Sequence, residues 1–327
     1  MVPATRKETL SVNFATIGVL SARQTAELLP FHELVDAIRV AVAEVSEQRI
    51  LCPERQALAM TGGAMLLSMA ATAADIAVHK LVSVVPANAK RGLPTIQGQV
   101  SVISADTGEC LLTLDGATVT GRRTAALSML GIATLLAEAP RQVLIFGTGT
   151  QASHHVRAIA ALYPFAQVRV AGHSASSTLA FCAAHLKDCP SIAPAIDFIA
   201  ADGIDLVITC TSSRQPVYAE KARASRLLIA IGAFSADAAE IAPDTVRASR
   251  IYVDDLQGAH HEAGDLILAG VNWGQVQPLS RVFEVGSPHD VPVLFKTVGC
   301  AAWDLAAARV ARNTMSTNGS SGLRMCV

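Results

Sequence analysis

The stretch Arg141-Gln-Val-Leu-Ile-Phe-Gly147-Thr148-Gly149-Thr150-Gln151-Ala152 leaves few folds open to this chain. Its four consecutive apolar residues, 143–146, read as a buried strand. A Gly-x-Gly-x-x-Ala turn follows at once, and an apolar-periodic helix comes next. Gly147 permits the tight turn, Gly149 lets backbone amides approach a diphosphate, and Ala152 allows the helix to pack closely. The helix N-terminus adds partial positive charge. An ordinary glycine-rich strand-to-helix turn has the same letters, but the flanking strand and helix favour a dinucleotide site. Gly147, Thr148, Gly149, Thr150, Gln151 and Ala152 are expected to form it.

Further apolar runs at residues 168–171, 206–210, 227–231 and 251–253 alternate with helix-like stretches. That alternation predicts an α/β unit, a doubly wound parallel sheet of the Rossmann kind. At the end of the second strand, an NAD-selective domain usually places an acidic residue against the ribose hydroxyls. Here the residues are Gly172-His173-Ser174. No carboxylate repels a 2′-phosphate, and His173 and Ser174 could donate hydrogen bonds to it. NADPH is therefore the favoured cofactor, with NADH as the other choice, although His173 equally reads as a surface loop residue.

The 327 residues suit two domains. Residues 22–45 carry apolar positions at helical spacing, and residues 49–114 break into short runs punctuated by Gly62-Gly63, Pro86, Gly92, Asp106, Gly108 and Asp115-Gly116. A helix followed by a strand-rich sheet is expected there. Residues 119–138, ahead of Pro140, read as a long helix crossing between domains. The expected division is 119–294 for the dinucleotide-binding domain and 1–118 with 295–327 for the other, since residues 293–310 read as a helix able to fold back. The tail after Asn313 reads as loose, and Met60, Met65 and Met69 as core.

A net charge of −1 and the lack of a long basic run leave no electrostatic footprint for nucleic acid or an anionic membrane, so a small-molecule partner is expected. The most membrane-like stretch, residues 57–79, contains Gly62-Gly63, Ser68 and Asp75 and reads as buried strands. Residues 1–13 lack the apolar run of a signal peptide. Seven scattered cysteines without a Cys-x-x-Cys pair fit reduced thiols, and a cytoplasmic protein is expected. The neighbours His154-His155 and His260-His261 point in different directions on a helix or strand, so no metal site is expected. There is no Gly-x-Ser-x-Gly elbow for a serine nucleophile.

Basic residues punctuate the otherwise weakly charged first part of the chain, Arg55, Lys80, Lys90, Arg91, Arg122 and Arg123, and two of them are suggestive. Lys80 interrupts an apolar strand-like run and Arg123 opens an Ala-rich helix, both unusual places for charge. Arginine grips a carboxylate through two parallel hydrogen bonds, whereas lysine supplies a compact charge or a proton. Substrate binding and paired structural charges are equally open from these residues alone.

Several segments together resemble the ornithine cyclodeaminase and μ-crystallin family, which includes ketimine reductases. They are Pro53-Glu54-Arg55, Lys80 with Val84-Val85-Pro86-Ala87-Asn88, Arg91-Gly92-Leu93-Pro94-Thr95, Thr107-Gly108, Leu114-Asp115-Gly116, Thr120-Gly-Arg-Arg-Thr-Ala-Ala126, the Gly147 turn, and Val298-Gly299 with Asp304. The resemblance spans nearly the whole chain. It implies an N-terminal α+β domain that binds substrate, forms a homodimer, and is completed by the C-terminal helix. It also implies that Arg55, Lys80 and Arg123 hold a substrate carboxylate, with Lys80 and Arg123 as the catalytic pair, and that Thr95 lines the cofactor side.

Cyclodeaminases of this family carry an aspartate after the fourth Rossmann strand, where this chain has Phe234 in Ile231-Gly232-Ala233-Phe234-Ser235. The resemblance then implies NAD(P)H-dependent reduction of a cyclic imino acid, Δ1-pyrroline-2-carboxylate to L-proline and Δ1-piperideine-2-carboxylate to L-pipecolate, rather than ornithine cyclodeamination. A non-catalytic ligand-binding role is the other alternative. Asp237, Glu240 or Asp254 stands near enough in sequence to replace the missing carboxylate.

Overall fold

A computed structural model describes residues 18–195, 203–286, 288 and 290–319. The signal-peptide reading of residues 1–13 lies outside them. The first part runs β1 (Gly18–Val19), α1 (Ala22–Glu27), α2 (Phe31–Ser46), β2 (Gln56–Ala59), β3 (Met65–Thr72), β4 (Ile76–Val84), β5 (Ile96–Ser104) and β6 (Cys110–Asp115). The helical pattern at 22–45 is two helices rather than one. Pro30 N-caps α2, and a proline disfavours helical backbone in the residue before it.

The six strands form one sheet in the order β1-β6-β5-β4-β3-β2, antiparallel except for the β1–β6 pair. Along β4, Ile76, Val78, Lys80 and Val82 are buried while Ala77, His79, Leu81 and Ser83 are half-buried. This period of two places Lys80 in the row that faces the helices. Strand β2 is an exposed edge, with Leu58 62% accessible, so the expectation of buried strands over 57–79 holds for one row of β4 and for Met69 and Ala71 of β3, but not for β2. Met69 is core, Met65 is half-buried and Met60 is exposed, which corrects the grouping of the three methionines.

Helix α3 (Gly116–Leu135) leads out of this sheet, N-capped by Asp115, whose carboxylate accepts from the Thr118 amide at 2.8 Å. It is buried along nearly its whole length. The chain continues through β7 (Gln142–Phe146), α4 (Thr150–Leu162), β8 (Gln167–Ala171), α5 (Ala175–His185), β9 (Ala193–Pro194), β10 (Leu206–Thr209), β11 (Leu227–Ala230), α6 (Pro243–Arg247), β12 (Arg250–Val253), α7 (Leu256–Glu262), α8 (Gly264–Ala269), β13 (Gln277–Pro278), α9 (Ser280–Val285), β14 (Val293–Lys296) and α10 (Ala301–Gly319).

Strands β7 to β14 make a second, fully parallel sheet ordered β13-β12-β14-β11-β10-β7-β8-β9. The chain moves outward from β7 to β8 and β9, then returns to β10 on the other side of β7. A crevice opens at that reversal, beyond the carboxyl ends of β7 and β10. The order bears out the doubly wound reading.

Two expectations for the end of the chain change. Residues 293–296 form a strand inserted between β11 and β12, not the start of a helix, because the run Val-Leu-Phe-Lys is buried on both faces. The helix begins only after Gly299, whose φ of +80° breaks the backbone direction. It then continues to Gly319, so residues 314–319 are helical rather than loose.

Helix α10 packs against α2, α3, β3 and β4, which ties the end of the chain to the first sheet. On the other side of α3, the Phe295 ring occupies the space that a side chain at Gly131 would fill. Phe295→Ala removes a fully buried ring from this seam between β14 and α3. It is expected to destabilise the protein by about 3–5 kcal/mol, read from the urea midpoint, with an unchanged m-value.

Candidate active site

The crevice between the two sheets is a cleft of about 1150 Å³. One wall is the turn after β7. Gly147 has φ +122°, and a Cβ there would stand 2.7 Å from the Cys210 carbonyl oxygen, so only glycine fits the crossing of the two strand ends. Gly149 N-caps α4 without any side-chain acceptor and with open space around it. The first amides of α4 therefore face the cleft unopposed, in an arrangement that suits an anionic diphosphate.

Of the residues expected from sequence at this wall, Gly147, Thr148, Gly149, Thr150, Gln151 and His173 line the cleft, and Thr95 faces them from the start of β5. Two do not. Ala152 is fully buried beneath the turn. Ser174 caps α5, with its hydroxyl accepting from the Ser177 amide at 3.2 Å.

The opposite wall gathers Arg55, Lys80 and Arg123 from three separate segments. Lys80 and Arg123 are buried, and both reach one carboxylate. Asp304 Oδ2 is 2.6 Å from Lys80 Nζ, and Asp304 Oδ1 is 3.2 Å from Arg123 Nε. Arg55 donates through Nη2 to the carbonyls of Val298 at 2.8 Å and Gly299 at 2.6 Å, and lies 3.0 Å from Glu262. Burial pushes the Lys80 ammonium down to about 8, with the Asp304 charge opposing the shift and Arg123 adding to it. Among the described residues that line the cleft, Arg55, Lys80 and Arg123 are the cations and none is an Asp or Glu, which suits a carboxylate ligand. Leu67, Met69, Val82 and Val84 supply an apolar floor beside them.

Sequence reasoning missed Glu262 and gave Asp304 no role. The signals for Asp304 were its place among the segments of the family resemblance and an acidic residue among the alanines of an apolar helix. The three carboxylates considered as replacements for the one missing at Phe234 are all engaged elsewhere. Glu240 is buried and accepts from the Gly232 amide, the Thr211 amide and hydroxyl, and the Thr209 hydroxyl. Asp254 holds the Val298 and Gly299 amides and the Trp303 indole. Asp237 is exposed and paired with Arg214. Phe234 itself lines the cleft and is half exposed. Asp255, by contrast, is an ordinary helix N-cap, accepting from the Gln257 amide at 3.1 Å.

The histidine pairs are also accounted for. His155 is buried between the Gln151 carbonyl and the Ser128 hydroxyl, and His154 packs on Gly121. His260 stacks on Trp273 at 3.9 Å, and His261 lies 2.9 Å from Glu54. Among the described residues no group of three or more His, Cys, Asp or Glu side chains could hold a metal. No described helix is long and apolar enough to cross a membrane.

A Rossmann sheet facing a cationic, apolar-floored cleft is the architecture of a dinucleotide-dependent oxidoreductase. The chain belongs to the ornithine cyclodeaminase/mu-crystallin family, whose model matches residues 17–319. It is 52% identical over 299 residues to the Δ1-pyrroline-2-carboxylate reductase 2 of Burkholderia ambifaria, covering 91% of this chain and 96% of that one. It is 51% identical over 300 residues to the Δ1-pyrroline-2-carboxylate/Δ1-piperideine-2-carboxylate reductase of Azospirillum brasilense, covering 92% and 96%. Among solved structures, the fold matches the Thermococcus litoralis Δ1-pyrroline-2-carboxylate reductase in complex with NADH and L-proline, with TM-score 0.84 and 23% identity over 93% of this chain and 98% of that one. An archaeal alanine dehydrogenase dimer with bound NAD matches with TM-score 0.82 and 22% identity, over 93% and 97%.

Beside the Arg55 wall, the Cys52 thiol lies within reach of the Cys300 thiol and of the first amides of α10. These contacts hold it below the ordinary thiol range, whereas burial raises Cys210 and Cys300. As pH rises, Cys52 should be alkylated by iodoacetamide before Cys210 and Cys300, as peptide mass spectrometry would show.

Proposed function

We propose that the chain reduces cyclic ketimine acids with a reduced nicotinamide dinucleotide. It would convert Δ1-pyrroline-2-carboxylate to L-proline and also accept the six-membered Δ1-piperideine-2-carboxylate to give L-pipecolate. The observation that carries this reading is that the Gly147 turn and the Arg55, Lys80 and Arg123 cluster open into one cleft. The names of the relatives at 52% and 51% identity support the same substrates.

The dinucleotide would lie along the Gly147–Gly149 turn, and its nicotinamide would supply the hydride to the imine carbon. Arg55 and Arg123 fix the substrate carboxylate, a geometry suited to guanidinium forks. Lys80, charged below a pH of about 8, adds a third positive group and can hold or give up a proton beside the imine nitrogen. The apolar floor and Phe234 keep water from the ring, so the chain supplies position and electrostatics.

NADPH is the favoured cofactor, with NADH accepted. His173 stands exposed at the rim after β8, and no carboxylate occupies the Gly172-His173-Ser174 corner. Because Ser174 is spent on its helix cap, His173 carries most of this preference. Residues 1–118 with 295–327 would hold the substrate and 119–294 the nucleotide, except that β14 places residues 295–296 on the nucleotide side. A cytoplasmic homodimer completes the reading. The dimeric archaeal relative supports the second subunit.

The test follows the absorbance of NADPH and NADH with each imine, and assays ammonia release from ornithine plus NAD in parallel. Both imines should be consumed, faster with NADPH, and ornithine should stay inert. Ammonia from ornithine with inert imines would sink the reading. Arg123→Lys should lower kcat/KM roughly 10- to 100-fold, the loss expected when one charge-assisted hydrogen bond disappears.

A further inference from the structure

A carboxylate that is itself out of reach of solvent stands behind the substrate-facing cations. Asp304 is fully buried on α10, and the polar side chains it meets are Lys80 of β4 and Arg123 of α3. It spends one oxygen on each. Arg123 is engaged through Nε, so its two terminal nitrogens are left for the cleft, where they lie against Gly299. A side chain at Gly299 would strike them at 2.7 and 2.9 Å, which means that the guanidinium is clamped between Asp304 behind and the backbone turn in front.

We propose that Asp304 is a positioning residue for the reaction: from behind, it aims Lys80 and Arg123 at the substrate carboxylate and keeps Lys80 charged in the working enzyme. This rests on the imine-reductase reading above. The groups that face Lys80 are Asp304 from α10, Arg123 from α3 and Arg55 from the segment before β2. The two arginines repel the ammonium and burial disfavours its charge, so Asp304 is the one neighbour among these that favours it. Without that carboxylate Lys80 would face two arginines in a buried site, and the easiest relief would be for it to lose its proton.

In the free enzyme Lys80 is charged below about pH 8, so kcat/KM for the imine should fall as pH rises through that value. In Asp304→Asn the ammonium loses its supporting charge, and the alkaline limb should move down by about one unit or more. Activity on the acid side would be retained far better than at pH 8. The substrate imine titrates identically with both enzymes, so the difference between the two profiles belongs to the protein.

The experiment records kcat/KM against pH for wild type, Asp304→Asn and Lys80→Arg, with NADPH binding measured by fluorescence titration to show that each variant retains its nucleotide site. A downward shift of the limb in Asp304→Asn, and its disappearance in Lys80→Arg, is the expected result. A uniform loss of activity at every pH, with the limb unmoved, would mean that Asp304 only stabilises the fold and would overturn the proposal. If Asp304→Asn does not fold, the wild-type and Lys80→Arg profiles decide: the same alkaline limb in both removes Lys80 from the pH response and defeats the proposal. A wild type that reduces neither imine fails the functional reading instead, so the two failures are distinguishable.

Discussion

The Lys80–Asp304–Arg123 triad is the contact on which the rest of the structure depends. Its three members come from the middle of the first sheet, from the helix that leaves that sheet, and from the last helix of the chain. One buried carboxylate therefore fixes the relative placement of three elements far apart in sequence. Such a cluster is costly to desolvate, and removing one partner strands the others at about 3–5 kcal/mol. The same charges that would make a poor stability device make a rigid binding surface, because the cations are held before any ligand arrives.

A second buried charge group serves the opposite wall. Lys296 lies 3.0 Å from Asp265, both without solvent exposure, and Asp265 accepts the amides of Glu240 and Ile241. Glu240 in turn receives the amides of Thr211 and Gly232, the second residues of the loops after β10 and β11 that line the cleft. Burial pushes the Glu240 carboxyl up while Lys296 pulls it back, so the network is balanced by a neighbour rather than by water. The loops at the sheet's reversal are thus pinned from beneath, and Phe234 is presented on a fixed stem.

Asp254 does similar work between the walls. By accepting the Val298 and Gly299 amides it sets the turn whose carbonyls receive Arg55, and its bond to the Trp303 indole anchors the start of α10. The carboxylates at positions 240 and 254, weighed from the sequence as catalytic replacements, are buried supports, and so is the one at 304. Their side chains hold backbone amides, hydroxyls or cations.

The sequence by itself determined the Rossmann half, because a buried strand, a Gly-x-Gly-x-x-Ala turn and a helix are local signals whose physical demands fall within twelve residues. It also marked Lys80 and Arg123 as misplaced charges, since a lysine in an apolar strand is visible without a structure, whereas Arg55 stood out only through the family resemblance. Local signals went no further. The run at 293–296 is short and apolar, so it fits a buried strand or a helix equally, and only its insertion between β11 and β12 chose the strand. Ser174 could cap a helix or meet a phosphate, and the formed α5 took it as a cap. That Asp304 faces Lys80 across 224 residues, and that Glu240 and Asp254 face inward, was decided by tertiary structure alone. A carboxylate's role is set by the donors around it, and those donors come from segments that the sequence keeps far apart.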